Sequence, residues 1–251
     1  FDWYWFDEVS EELLENVIIR YENLNFQYLE LDGVTSAKNM DLDGYGLSEG
    51  FYLYMPNHSL TSFDSTGLGR VINVSLNSNQ LVTFDGSGLT NATDLNLSSN
   101  QLTSFVGTGL DNLDILRLNN NQLTSFIGTG LVKLEDLTLS FNHLTSFVGT
   151  GLNTVLDIKL DNNLLTSFDG SGLDSLFNLV LFNNQLTSFV GTGLNSLLNL
   201  RISNNLLNSF DGTGLIKLED LNLNTNQLTS FSSTGLDSLV SLDLNDNQLT
   251  T

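Results

Sequence analysis

The chain has 251 residues, with eight Lys and Arg against 29 Asp and Glu, a formal net charge of −21 and no cysteine. So acidic a surface repels the phosphate backbone of nucleic acids and anionic membranes, and we expect neither as a partner. The lack of cysteine excludes disulfides, thiolate metal sites and cysteine nucleophiles. The sequence contains no run of about 18 apolar residues, so we predict no membrane-spanning segment. The chain begins without Met at Phe1 and ends inside a repeat at Thr251, which indicates a fragment or a processed product.

Residues 1–45 differ in composition from the rest of the chain. The aromatic and acidic run FDWYWFDE precedes SEELLENVIIRYENL, in which Ser10 is suited to cap a short helix with one apolar face. The alternating residues 25–31 predict a strand. We interpret residues 1–45 as a small α/β N-terminal cap, because the end of a solenoid needs a cover. The alternative is a docking element that uses Trp3, Tyr4 and Trp5.

Residues 46–251 repeat with a period of 21, and Leu113–Leu131, LDILRLNNNQLTSFIGTGL, is a representative copy. A period in this range indicates a solenoid. One rung cannot bury its own leucines, but stacked rungs can, with strands pairing in parallel about 4.8 Å apart. We therefore predict a ten-rung solenoid, open or truncated at its C-terminus. The strand cores begin at Leu53, Val74, Leu95, Leu116, Leu137, Ile158, Leu179, Leu200, Leu221 and Leu242.

The positions within one repeat have separate roles. Leu116 and Leu118 face the core and Arg117 faces outward, because strand side chains alternate. The Phe126 position predicts a column of rings, offset or edge-to-face. Asn121, donor and acceptor at once, suits backbone groups that lose ladder partners where the strand ends. The predicted structural Asn ladder consists of Asn79, Asn100, Asn121, Asn142, Asn163, Asn184, Asn205, Asn226 and Asn247.

The return segment TSFxGTG contains paired glycines such as Gly128 and Gly130. These glycines disfavour a helix and permit turns with positive φ. We expect an irregular, Gly-rich convex side that is about as thin as the sheet side, and therefore mild curvature.

The pattern LxxLxLxxNxL, found here as Leu113, Leu116, Leu118, Asn121 and Leu123, resembles the leucine-rich-repeat signature. The short repeat and the Gly-rich return resemble bacterial surface members, internalin-like proteins among them. The resemblance implies a leucine-rich-repeat solenoid with a parallel β-sheet on its concave face, and a binding role without catalysis. The chain lacks the helical return of the ribonuclease-inhibitor type and the cysteine caps of vertebrate extracellular members.

The outward position between the two strand leucines varies between repeats and carries three of the eight cations. Two aromatic residues stand just past the strand, where Ser or Asn is usual. Aromatic residues beside Arg are typical of binding hot spots. The predicted ligand-binding patch consists of Arg117, Thr138, Phe141, Lys159, Val180, Phe182 and Arg201. The alternative is that charged neighbours, such as Lys159 and Asp157, only pair across an exposed sheet.

Other motifs give weaker signals. Columns of Thr on the return segment resemble ice-binding solenoids, and ice binding is a minor alternative function. The DGSG and DGTG turns could supply calcium ligands, but Val or Ile replaces the Asp in other repeats, so we predict no metal site. His58 and His143 occupy ordinary repeat positions, and we predict no catalytic residues and no cofactor.

These features predict a non-enzymatic extracellular recognition or adhesion module that binds a protein or glycan through its concave face. The expected location is extracellular or on a cell surface, including the surface of a virion. The alternative is a structural component of a surface layer, filament or virion. An open C-terminal end would expose Leu239, Leu242, Leu244 and Leu249 unless self-assembly or further chain covers them.

Overall fold

The computed structural model describes residues 28–30, 50–232 and 234–250. The helix predicted after Ser10 and most of the predicted cap lie outside these residues, so the boundary between cap and solenoid stays a prediction. Among the described residues there is no helix, and none is therefore long and apolar enough to span a membrane.

A single parallel sheet of eleven strands, arranged in chain order, forms one side of the molecule. Its strands are β1 Tyr28–Glu30, β2 Phe51–Tyr54, β3 Val71–Ser75, β4 Asp94–Asn96, β5 Ile115–Arg117, β6 Asp136–Thr138, β7 Asp157–Lys159, β8 Asn178–Val180, β9 Asn199–Arg201, β10 Asp220–Asn222 and β11 Ser241–Asp243. From β3 onward, equivalent residues of successive repeats pair in register. This arrangement confirms the leucine-rich-repeat solenoid. The segment predicted as a strand at residues 25–31 contributes β1, which extends the same sheet by pairing with β2.

The strands are short because the chain leaves the sheet at each buried Asn. Asn121 Oδ1 accepts the Leu102 amide at 2.9 Å, and Asn121 Nδ2 donates to the carbonyls of Leu97 and Leu118, each at 3.0 Å. The same three bonds recur at every ladder position from Asn79 to Asn247. Each side chain thus joins its own rung to the preceding one through groups that the sheet leaves unpaired.

The phenylalanine rings form a continuous column from Phe63 to Phe231. Neighbouring ring centroids are 5.7 to 6.4 Å apart, and the ring planes differ by 2° to 20°. The rings therefore stack in an offset, nearly parallel arrangement, and the edge-to-face alternative is wrong. Because equivalent rings are related by the step between rungs, their separation measures that step on the return side of the solenoid.

The solenoid curves toward its sheet. The step of 5.7 to 6.4 Å at the phenylalanine column exceeds the roughly 4.8 Å between paired strands. With about 10 Å between the two sides, an excess of about 1.2 Å corresponds to about 7° of bend per rung. The sheet is therefore the concave face, and the curvature is mild, in accord with a return segment that contains no helix.

The return segments use glycine where the chain turns most sharply. Gly130 has a φ of +91°, and a Cβ at this position would lie 2.6 Å from the Gly107 carbonyl oxygen of the preceding rung. Leu131 follows in a turn closed by a 3.1 Å hydrogen bond from its amide to the Gly128 carbonyl. Close stacking of the turns, as well as their conformation, therefore requires glycine here.

Candidate functional site

Two columns of side chains cover the concave face. Column A holds the first residues of β4 to β10: Asp94, Ile115, Asp136, Asp157, Asn178, Asn199 and Asp220. Column B holds the third residues of the same strands: Asn96, Arg117, Thr138, Lys159, Val180, Arg201 and Asn222. The middle residue of each of these strands is buried. Alternation therefore directs both columns outward, where a ligand could reach them.

Column B brings five residues of the predicted patch into one line. Arg117, Thr138 and Lys159 are successive register partners, and the line continues through Val180 to Arg201. Arg201 is exposed, but Val180 retains only 7% of its accessible surface. Val180 has longer side chains on either side of it in the column, and its own is short and branched. It therefore presents little surface to a ligand, contrary to the exposed position that its sequence register predicts.

The two aromatic residues of the predicted patch occupy different columns. Phe141 directly precedes the ladder residue Asn142, whereas Phe182 lies two residues before Asn184. Phe141 is 54% exposed, and Phe182 is half-buried. Phe141 is therefore the more accessible of the two aromatic contacts.

Phe141 has an unusual backbone conformation for an aromatic residue. Its φ is +56°, in the left-handed region. The equivalent residues of the other rungs are small and polar: Ser78, Ser99, Asn120, Asn162, Asn183, Asn204, Thr225 and Asp246. Asn tolerates this region well, whereas a bulky residue is strained there by about 1–2 kcal/mol. Strain of this kind is concentrated at functional sites, which singles out Phe141 within the patch.

A chain of polar side chains supports the Phe141 turn. The Phe141 amide donates to the Asp161 carbonyl at 3.0 Å. Ser140 Oγ donates to Asp161 Oδ1 at 2.5 Å, and Asn162 Nδ2 donates to Asp161 Oδ2 at 2.7 Å. Asn183 Nδ2 in turn donates to Asn162 Oδ1 at 2.9 Å. Ser140 and Asp161 are each only 7% exposed, so Phe141 projects from an ordered base.

Ion pairs account for two of the three cations in column B. Arg117 lies 2.8 Å from Asp94, and Lys159 Nζ lies 3.5 Å from Asp157 Oδ1. Arg117 and Lys159 therefore both pair with carboxylates of the sheet itself, as in the alternative to ligand binding. Among the described residues, no ion pair within 4.0 Å involves Arg201. Its exposed guanidinium has the chemistry to bind a carboxylate from outside.

Column A contains two adjacent carboxylates. Asp136 and Asp157 are register partners on β6 and β7, and the Oδ1 atom of each is buried without a hydrogen bond. The Lys159 ammonium is a charge partner of Asp157 Oδ1, but it does not form a hydrogen bond with that atom. Asp157 Oδ2 accepts Asn178 Nδ2 at 2.6 Å. Like charges on neighbouring strands destabilise a sheet, and Lys159 and Asn178 offset this at Asp157.

Two exposed apolar residues beside the patch are absent from the set predicted from the sequence. Leu164 and Leu206 directly follow ladder residues and are 40% and 43% exposed. Among the nine rungs with a ladder Asn, six carry Gln at this position, and His143 is the remaining exception. Departure from a repeat consensus, the signal that identified Phe141, would also have identified both leucines.

The acidic turns on the return side have an internal explanation. Asp85, Asp169 and Asp211 each accept the backbone amide two residues further along at 2.9 Å. The Ser171 hydroxyl, and then its amide, lower the pKa of Asp169, and Thr213 lowers the pKa of Asp211 in the same way. Within the described ranges, no three His, Cys, Asp or Glu residues are grouped so as to hold a metal ion. These carboxylates therefore serve as turn caps.

No family model and no curated protein matches the sequence. Solved structures do match, 171 chains in all. The leucine-rich-repeat protein LIC12759 of Leptospira interrogans has a TM-score of 0.72 and 25% identity, covering 87% of this chain and 60% of its own. The functional domain of InlJ from Listeria monocytogenes has a TM-score of 0.61 and 20% identity, covering 90% and 55%. A chain of the octameric complex of Latrophilin 3, Unc5D and FLRT2 (LRR) has a TM-score of 0.64 and 21% identity, covering 87% and 80%.

The chain spans 60% and 55% of the lengths of LIC12759 and InlJ, less than two thirds in each case. The likeness to InlJ and to the octameric complex rests on the fold alone, because their identity to this chain is low. The repeat, the eleven-stranded parallel sheet and these neighbours together identify the chain as a leucine-rich-repeat solenoid, similar to short-repeat bacterial proteins such as the internalin-like InlJ.

Proposed function

We propose that this chain is a non-enzymatic recognition module that binds a partner protein through its concave face, outside a cell or on a cell surface. The observation that carries the proposal is Phe141, an exposed aromatic residue in a strained conformation on an ordered polar base. Folding alone favours Asn at this position, as in neighbouring rungs. A binding role explains why an aromatic residue stands there instead.

The chemistry of the patch favours a protein among the classes of partner. The fold itself does not decide, since a structural neighbour, TLR13, is in complex with ssRNA, and another belongs to a complex of several proteins. The net charge of −21 disfavours nucleic acid. Phe141, Leu164 and Leu206 are exposed apolar side chains, which suit apolar protein side chains better than the hydroxyl-rich surface of a glycan.

Site-specific crosslinking tests the proposal. Benzoylphenylalanine in place of Phe141 is expected to capture the partner from extracellular fractions of the native source. The same replacement at Ile127, which is 65% exposed on the return side, serves as a matched control. Capture from Ile127 alone would assign binding to the convex side and contradict the proposal.

Substitution separates binding from folding. The triple variant Phe141→Ala, Phe182→Ala and Arg201→Ala is expected to lose the captured partner. Its melting temperature is expected to stay within a few degrees of the parent, because all three side chains lie outside the hydrophobic core. Parallel loss of binding and stability would indicate a structural role instead.

Exposed apolar residues support a second candidate function, assembly through the C-terminal end. Leu242 and Leu249 are each 41% exposed and Val240 is 85% exposed, whereas Leu239 and Leu244 are partly buried. Exposed apolar side chains beside the edge strand β11 favour association with a second copy of this chain. Sedimentation of the parent and a Leu242→Lys variant tests this candidate. A parent that stays monomeric at high concentration would argue against it.

A further inference from the structure

The concave face presents its charges in a fixed order along the solenoid. Asp136 and Asp157 form a carboxylate pair in column A on β6 and β7, half-buried Phe182 provides an apolar step just past β8, and Arg201 follows in column B on β9. An inference from this order rests on the proposed function, because it specifies the partner of the same face.

The two charged ends of this line are available to a partner. At one end, Asp136 and Asp157 are both partly exposed, and among the described residues Lys159 forms an ion pair with Asp157 but none within 4.0 Å with Asp136. At the other end, Arg201 is exposed, and no carboxylate among the described residues lies within 4.0 Å of it. The first end therefore attracts a cation and the second an anion.

The spacing of the line matches an extended polypeptide. Strands about 4.8 Å apart, together with an offset of about 6.6 Å along the strands between column A and column B, place Arg201 about 14 Å from the midpoint of the carboxylate pair, and Phe182 lies between them along the solenoid axis. An extended chain rises about 3.3 Å per residue, so its side chains at i, i+2 and i+4 lie on one side at about 0, 6.6 and 13 Å. The span of about 13 Å from i to i+4 therefore matches the separation of the two charged ends within about 1 Å.

We infer that the partner presents an extended segment that crosses the strands of β6 to β9, with a basic, an apolar and an acidic side chain at alternate positions. The basic side chain pairs with Asp136 and Asp157, the apolar side chain packs beside Phe182, and the acidic side chain pairs with Arg201. Exposed Phe141 flanks this line at β6 and contributes apolar contact.

Three peptides with the cores Lys-Ser-Leu-Ser-Glu, Lys-Ser-Leu-Ser-Lys and Glu-Ser-Leu-Ser-Glu test this inference. Each has blocked ends and is titrated at low salt into the ¹⁵N-labelled chain, with backbone amide shifts as the readout. The mixed-charge core is expected to bind roughly threefold more tightly than either other core, as for a partly exposed ion pair. This order is diagnostic, because the net charge of −21 by itself favours the core with two lysines.

The variant Arg201→Glu is expected to reverse the order and prefer the core with two lysines. Arg117→Glu makes the same charge change in column B outside the line, at a cation already paired with Asp94. It is expected to keep the parent's order. A fourth core, with the basic, apolar and acidic residues four positions apart, matches a helix, and preference for it would overturn the extended conformation.

Equal affinity for all cores, or no shifts in β6 to β9, would overturn the inference. Partner capture from position 141 distinguishes this failure from failure of the proposed function. If crosslinking still succeeds, the concave face binds a segment of different chemistry. If crosslinking also fails, both proposals are wrong.

Discussion

Replacing Asn121 by Ala isolates the role of the Asn ladder. The substitution removes one acceptor and two donors, and leaves the Leu102 amide and the carbonyls of Leu97 and Leu118 without these partners. Asn121 is 6% exposed, so water cannot readily replace the amide. With about 1–2 kcal/mol for each buried group left unsatisfied, the expected loss is roughly 3–6 kcal/mol. That is a large part of the stability of an ordinary domain.

Urea denaturation followed by circular dichroism measures the loss, and Asn247→Ala provides the matched control. Asn247 forms the same three bonds, but it is only partly buried, in the last rung. Water can reach its partners, and a lost terminal rung does not interrupt the stack. We expect Asn247→Ala to cost less than about half as much as Asn121→Ala. Equal costs at the two positions would refute the explanation from buried hydrogen bonds.

The nearly isosteric variant Asn121→Asp tests the need for a donor. At neutral pH a carboxylate would face the Leu97 and Leu118 carbonyls without donating to either, so this variant is expected to be less stable than Asn121→Ala. Burial and these two carbonyls would raise the pKa of the new carboxyl group in the folded state. The stability of the variant is therefore greatest below the unfolded-state pKa and falls as pH rises through the folded-state pKa. A pH-independent difference from the parent would contradict this reasoning.

Three further substitutions give expectations of different sign and size. Phe141→Asn should raise the free energy of unfolding by about 1 kcal/mol through relief of left-handed strain, while partner capture falls; a lower melting temperature would contradict the assignment of strain. Phe147→Ala, in the middle of the ring column, should cost about 3–5 kcal/mol in denaturation, and Phe231→Ala, partly exposed near its end, clearly less. Gly130→Ala should destabilise more than Gly151→Ala, because the φ values are +91° and +90° but the added Cβ would lie 2.6 Å rather than 3.4 Å from the nearest atom. Equal melting temperatures for the two glycine variants would show that conformation alone decides.

Positions that every rung shares were predictable from the sequence. Leu116, Leu118 and Asn121 face the core as predicted, because alternation and burial act identically in each copy. The mildness of the curvature also follows from the chemistry of the repeat, since no helix thickens the return. The left-handed column had a readable signal in its run of Asn and Ser, residues that favour this conformation, but its significance became clear only with the backbone angles.

Features that depend on neighbouring rungs could not be predicted. The offset stacking of Phe147 on Phe168 depends on a step of 5.8 Å at that column, which no single repeat encodes. The burial of Val180 depends on its neighbours in column B rather than on its own register. The different positions of Phe141 and Phe182 also became clear only from the structure. Phe141 is one residue closer to its ladder Asn than Phe182 is, and this single residue places it in the left-handed turn.

Because the rungs repeat the same core residues, the solenoid tolerates an unusual residue at a single exposed position, and such residues can form a binding site. Because each rung supplies its own leucines, ladder Asn and Phe, a local departure costs only its own strain, of about 1–2 kcal/mol at Phe141. The departures Phe141, Leu164, Phe182, Arg201 and Leu206 lie on four successive rungs, between the strands β6 and β9. The partner proposed above would contact this stretch, and Ile115, an apolar residue in column A on β5, extends it by one rung.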